Sequence, residues 1–392
     1  MKFRALAAVT VITLGILALS CSSGNGTTAS GTGYLFVSTQ GNSTLTSYGI
    51  ALSSGAISGI TAIQTGLNPA SIAINPDFTT IFVSNSGGNF VTTYAVNTDG
   101  SLSVGNNFRT GTTPMGLAVD PSGKFLFVAN QKSNDVSVFT INGTDLAPVA
   151  GSPFTTIPKG TENVPTGPIA VAVPPAGNYI YVANQFTNTV FPFRYNAATG
   201  ALTPLLTTPY PACAQPGVCI APAALGISNN GNFLFVVNQG SNNVTSYALC
   251  VVVSATCPTP NGQLTQVGPP VAAGQGPISI ASDPFWNFVY VADFASNQIS
   301  QYLFSPGSGV LTPLSNPAIS TGTSPVSITV ISGQTGTYVG STVYNLTDYA
   351  YVANNGGTSI SIYTLNTQSG QLTNYGAPYI LQGGQPSSVV AR

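Results

Sequence analysis

The chain has no histidine, a single glutamate, a single tryptophan and very little charge: Asp, Glu, Lys and Arg together make up 4 % of its 392 residues. Each shortage removes something. Without imidazole the commonest general base at neutral pH is missing, so hydrolytic chemistry would have to rest on a carboxylate. Eight basic against nine acidic residues leave a net charge of −1, with none of the clustered Lys and Arg that nucleic-acid binding requires. The apolar run from Ala5 to Leu19, behind Lys2 and Arg4, is shorter than the roughly 20 residues of a membrane-spanning helix. It reads as the core of a signal peptide over residues 1–20.

Gly, Pro, Ser, Thr and Asn instead separate short runs of β-branched and aromatic residues, which is an all-β profile. The "ALSC" at 18–21 resembles the bacterial lipoprotein signal, with Cys21 as the lipidated first residue of the mature chain and Ala18 where that motif usually has Leu. Simple cleavage and release is the alternative. Residues 21–32 are then a flexible tether, and the folded domain spans 33–392. Such a protein is exported to the periplasm, outer membrane or cell surface, and touches the membrane through its anchor only. Ser22 stands where an inner-membrane lipoprotein typically has Asp.

One phrase occurs seven times: "YLFVST", "TIFVSN", "FLFVAN", "YIYVAN", "FLFVVN", "FVYVAD" and "YAYVAN", ending at Thr39, Asn85, Asn130, Asn184, Asn238, Asp293 and Asn354. Nine residues beyond each end lies an aromatic: Tyr48, Tyr94, Phe139, Phe193, Tyr247, Tyr302 and Tyr363. These are expected to fill the space between repeats. A proline-led alternating run stands 16 residues before five of the ends, from Pro69, Pro114, Pro168, Pro222 and Pro277. The sixth, Pro325, is 29 before Asn354, leaving about 13 extra residues in that hairpin. The seventh, Pro386, has only the C-terminus after it. A fourth strand introduced by Gly or Asp completes each repeat. Four strands in seven repeats predict a seven-bladed β-propeller of four-stranded antiparallel blades, closed by the C-terminal strand joining the first blade.

"YVAN" at 181–184 and 351–354, with the Pro-led strand before it and G-x-L after it, resembles the YVTN-repeat surface proteins and the lactonase family of seven-bladed propellers. The latter includes 6-phosphogluconolactonase-type and muconate-cyclase-type enzymes. The resemblance implies that polar groups of an active cleft come from the residues after each inner-strand Pro, commonly Arg, His or Gly. Here those positions read Ala70 and Ser71, Met115 and Gly116, Ile169 and Ala170, Ala223 and Ala224, Ile278 and Ser279, Val326 and Ser327.

Lactone hydrolysis needs a water-activating group and donors for the developing oxyanion. Arg109, Lys159 and Glu162 fall in inter-blade connections, and Lys132, Asp135 and Asp293 at or after central-strand ends, all expected on the face where a propeller opens to ligand. Glu162 is the one general base to name, Arg109 or Lys159 the anion holder, and Lys132 and Asp293 further ligand contacts. As plain loop charges the same residues serve solubility. Asp77, Asp120 and Asp283 sit in hairpin turns suited to Asp beside Pro or Gly, so neither a metal nor a cofactor is expected.

Export favours paired cysteines. Cys213 and Cys219 fall on the inter-blade face and Cys250 and Cys257 in a hairpin on the opposite face, which predicts bridges 213–219 and 250–257. Three functions fit this chain: a monomeric binding or scaffold module for a small molecule, sugar derivative or envelope protein; a lactone hydrolase acting on a sugar-acid lactone; and a surface-layer or adhesion component.

Overall fold

The computed structural model describes residues 32–161, 164–213, 215, 217–254, 257–332 and 347–392. Residues 1–31, on which the expected signal peptide, lipidated Cys21 and most of the expected tether fall, lie outside the described residues, as do Glu162 and most of the insertion before the last repeat. Among the described residues no helix is long and apolar enough to cross a membrane.

Seven antiparallel sheets follow one another as blades. Blade 1 holds Thr32–Thr39, Thr44–Ala51 and Ala56–Gln64, with Pro386–Ala391 as its innermost strand. That strand pairs Leu35 with Ala391 and Val37 with Val389, and backbone bonds between Tyr34 and Arg392 extend the ladder in both directions. The ring is therefore closed by joining the two ends of the chain in one sheet, and the first strand keeps no open edge. Blades 2 to 7 begin in turn at Pro69, Pro114, Pro168, Pro222, Pro277 and Pro325, each the first residue of its inner strand.

Each inner-strand proline stands opposite the last residue of the second strand, as in Pro69 to Asn85 or Pro277 to Asp293, and a bulge follows at once. Proline is tolerated there because a strand's first residue can forgo its N–H. The second strands of blades 2 to 7 are buried throughout, for example Thr80–Asn85 and Tyr179–Asn184. Both of their faces meet neighbouring strands or blades, so they read as continuous apolar runs.

The seven aromatics on the third strands are all buried between blades. Where they are tyrosine, the hydroxyl commonly reaches back to the preceding blade's outer strand: Tyr94 to the Gln64 carbonyl at 3.0 Å, Tyr247 to Pro211 at 2.6 Å, Tyr302 to Ala272 at 2.6 Å and Tyr363 to Ser320 at 2.8 Å. A buried phenol with a carbonyl partner packs one blade and hydrogen-bonds the next.

A second device, not read from the repeats, lies four residues after the register residue. Asn89, Asn134, Asn188, Asn242 and Asn297 all adopt positive φ, between 55° and 59°, a conformation Asn accepts more readily than most residues. Their Oδ1 atoms accept backbone N–H groups just before the next blade's proline: Thr113 at 2.8 Å, Thr166 and Gly167 at 2.8 and 3.0 Å, Ala221 at 2.7 Å, Gly276 at 2.8 Å and Ser324 at 2.7 Å. Each is a link from one blade to the next on the channel-mouth face. Asn188→Ala is expected to lower unfolding stability by about 1–3 kcal/mol, through a lost acceptor and a strained φ. Asn188→Gly, which keeps the φ, is expected to lose less. Urea unfolding checks both, and equal losses would remove the conformational part of the argument.

The outer strands are continuous in blades 1, 2, 5 and 6. In blades 3, 4 and 7 they break into two short pieces, such as Leu202–Pro204 and Tyr210–Pro211. Blade 3 carries Pro148 and Pro153 and blade 4 carries Pro204 and Pro209 at the break, but the continuous outer strands of blades 5 and 6 hold Pro269, Pro270, Pro313 and Pro317, so proline alone does not set the break. Both bridges form as expected, Cys213 to Cys219 with Cα atoms 5.6 Å apart and Cys250 to Cys257 at 5.2 Å.

Candidate functional site

The inner strands converge on an axial channel whose mouth encloses about 390 Å³. Its wall is made of the residues after each inner-strand proline, because the bulge there turns consecutive side chains towards the axis. Blades 3, 4 and 5 contribute Met115, Gly116, Ile169, Ala170, Ala223 and Ala224, without a hydroxyl. Blades 1, 2, 6 and 7 contribute all of the hydroxyls, from Ser387, Ser388, Ser71, Ser279 and Ser327. Some of these also join blades: Ser279 Oγ accepts the Ile328 N–H at 3.2 Å, and Ser327 Oγ that of Val389 at 3.2 Å.

Around the mouth lies an amide rim. The residue after the register position is Gln40, Gln131, Gln185, Gln239 and Asn355 in five blades, and Gln185 and Gln239 line the cavity directly. Gln131 Nε2 donates to Gln185 Oε1 at 2.9 Å, which orients the Gln185 amide. Asn355 donates to the Pro386 carbonyl at 2.9 Å. The sequence carries this signal as "VANQ", "VVNQ" and "VSTQ", one residue beyond the end of the repeated phrase.

The register residues themselves are not part of this surface. Asn85, Asn130, Asn184, Asn238, Asp293 and Asn354 are fully buried, and the asparagine amides commonly donate to a hydroxyl on the third strand, as Asn85 does to Thr92 at 2.9 Å and Asn130 to Ser137 at 2.9 Å. Glycine three residues before the next proline makes room for them: a Cβ at Gly66 would sit 2.7 Å from Asn85 Cγ, and at Gly322 2.6 Å from Asn354 Cγ. In blade 5 Cys219 occupies that place, its Sγ 3.4 Å from Thr245 Oγ1.

The charged candidates are dispersed. Arg109 ends the outer strand of blade 2, opposite Phe90, and is exposed. Lys132 is exposed in the turn after Phe125–Asn130 of blade 3. Lys159 lines a separate groove between the outer parts of blades 3 and 4. Asp293 is buried in blade 6, accepting from Ser300 Oγ at 2.7 Å. None of the four lines the channel mouth. Asp135 accepts from Asn130 Nδ2 at 2.7 Å, and burial pushes its carboxyl above the ordinary range against that bond. Burial likewise raises Asp293 to about 6, against hydrogen bonds from Ser300 and the Gly274 backbone. Among the described residues no cluster of three metal-ligating side chains occurs.

The geometry is that of a lactonase-type propeller. Residues 60–149 and 150–330 match the family described as Lactonase, 7-bladed beta-propeller, and the chain belongs to that family. No curated protein matches it by sequence. Among solved structures it is similar to a putative 6-phosphogluconolactonase from Bacteroides fragilis, with 19 % identity and a TM-score of 0.73 over 94 % of this chain and 100 % of that one. A second putative 6-phosphogluconolactonase, from Bacteroides uniformis, gives 18 % and 0.73 over 92 % and 99 %. A periplasmic gluconolactonase from Pseudomonas aeruginosa gives 21 % and 0.70 over 92 % and 99 %. At these identities the likeness speaks for the fold.

Proposed function

We propose that this protein is an exported, envelope-anchored lactonase-family propeller that acts as a binding or scaffold module, taking an uncharged, hydroxyl-rich small molecule such as a sugar derivative at its channel mouth. One observation carries the reading: none of the twenty residues lining the mouth is ionisable. Amide and hydroxyl groups over small apolar side chains suit a neutral polar ligand. A phosphorylated sugar would want Arg or Lys forks instead. Export is supported by the two disulfides, which persist in oxidising compartments, and anchoring by Cys21 behind its signal.

The second reading, a hydrolase of sugar-acid lactones, is favoured by membership of the family. It would draw on Glu162 as base, with Arg109, Lys159 or Lys132 holding an anionic group. The experiment measures turnover of 6-phosphogluconolactone and plain sugar lactones beside calorimetric binding of neutral sugars. Binding without turnover above the spontaneous rate is expected, and Gln185→Leu with Gln239→Leu is expected to weaken it about tenfold or more, as two polar partners are lost. Turnover that Glu162→Ala abolishes would move the protein into the hydrolase class.

A further inference from the structure

A second cavity lies away from the channel, on the flank where blades 3 and 4 meet. It encloses about 570 Å³ and is lined by Ile157, Pro158, Phe191, Pro204, Leu205 and Leu206, with Thr155 and Thr207 at its ends and Lys159 as its one charged residue. Its origin is the break in the outer strand of blade 4. Leu205 still donates its N–H to the Pro192 carbonyl at 3.1 Å, but the ladder resumes only at Tyr210, opposite Val190. The gap between Leu205 and Tyr210 thus leaves an open groove above Phe191, whose side chain is itself buried in the core between blades 3 and 4. On the facing side, the chain leaving Phe154–Thr155 supplies Ile157, Pro158 and Lys159.

The volume falls within the roughly 300–1,000 Å³ of ordinary ligand pockets. Apolar walls of this extent with a single cation call for a ligand with one negative end and an apolar body, since an uncharged hydrocarbon leaves the ammonium unused and a polar anion leaves the walls wet. We propose that this groove is a binding site for a medium-chain aliphatic monocarboxylate, its carboxylate at Lys159 and its chain along Pro204, Leu205 and Leu206. The site is independent of the channel mouth and of the ligand proposed there.

Calorimetry or displacement of a fluorescent fatty acid, with hexanoate, octanoate, decanoate and dodecanoate below their micellar concentrations, tests the site on the mature protein. Affinity is expected to rise about three- to fourfold per methylene and to stop rising once the groove is full. Lys159→Ala is expected to weaken decanoate about five- to tenfold while leaving decanol unchanged. Leu206→Asp and, separately, Thr207→Trp, both at positions off the buried core, are expected to abolish binding with the melting temperature preserved. No binding at any length, or binding indifferent to these three substitutions, overturns the site. So does binding confined to phosphatidylglycerol vesicles, which would assign the groove to a membrane surface.

Discussion

Removing residues 386–392 is expected to abolish the native fold. The strand Pro386–Ala391 is the inner strand of blade 1 and packs against both neighbouring blades. Val389 lies in one cluster with Leu35, Val37 and the blade 7 residues Tyr349 and Tyr351. Val390 packs against the cluster of Phe36, Ile72 and Ile81. Ser327 and Thr329 of blade 7 bond the same strand at the Val389 and Ala391 amides. Arg392 reaches across to blade 2, its guanidinium 3.3 Å from the Phe78 ring centroid and donating to the Pro76 carbonyl at 3.2 Å. The buried Val389 contributes about 1.5–3 kcal/mol and the half-buried Val390 less, and every backbone group left unpaired on Thr32–Thr39 costs about 1–3 kcal/mol if it stays buried. The sum is comparable to the roughly 5–15 kcal/mol that separates native from unfolded domains. Aggregation through the exposed strand edge is expected, and the peptide PSSVVAR added in trans is expected to restore a cooperative urea transition. A truncated protein that stays monomeric and unfolds within about 0.5 M urea of the full chain would show that the closure contributes little.

The number of blades, their strand order and the joining of the ends were legible because an aromatic stands nine residues after every register residue and a proline sixteen before five of them. The burial of Tyr94 or Phe193 follows from the same arithmetic. The links from Asn89, Asn134, Asn188, Asn242 and Asn297 were also written in the sequence, as an Asn four residues after the register Asn or Asp. Their role became visible only when the next blade's backbone stood against them, since a contact between blades has no fixed separation along the chain. The split outer strands had no local cue, since prolines stand in continuous and broken ones alike, and the groove needs Lys159 from the preceding blade. The charged candidates were gathered by loop position alone. Loop position fixes the face of a propeller but not the distance from its axis, and that is why Arg109, Lys132 and Lys159 came out apart from the channel.

Asp293 is where the repeat departs from its own pattern, and its replacement by Asn is expected to stabilise the protein at neutral pH. Five other blades place Asn at this buried position, where the amide donates to a third-strand hydroxyl, as Asn354 does to Ser361 at 2.9 Å. Blade 6 reverses that bond, with Ser300 Oγ donating to the Asp293 carboxylate. Burial lifts this carboxyl from 3.8 to about 6. Asp283, buried in the hairpin that follows the inner strand, is also lifted to about 6, first by burial and then by the neighbouring charge of Asp348, against bonds from the Trp286 and Phe285 backbone. A carboxyl whose folded pKa exceeds its unfolded one supports the fold fully below the unfolded value and withdraws that support as pH rises through the folded value. Stability is therefore expected to fall between about pH 4 and pH 6.5, by up to about 2–3 kcal/mol for each of the two groups. Asp293→Asn should remove its share, raising the melting temperature at pH 7.5 by about 3–5 °C and changing little at about pH 3.5, below the unfolded value, with the Asp283 part of the slope left in place. Thermal unfolding of both proteins at the two pH values decides it. A melting temperature that drops at both would mean that Asp293 is held ionised by its partners and that the charge itself is needed in blade 6.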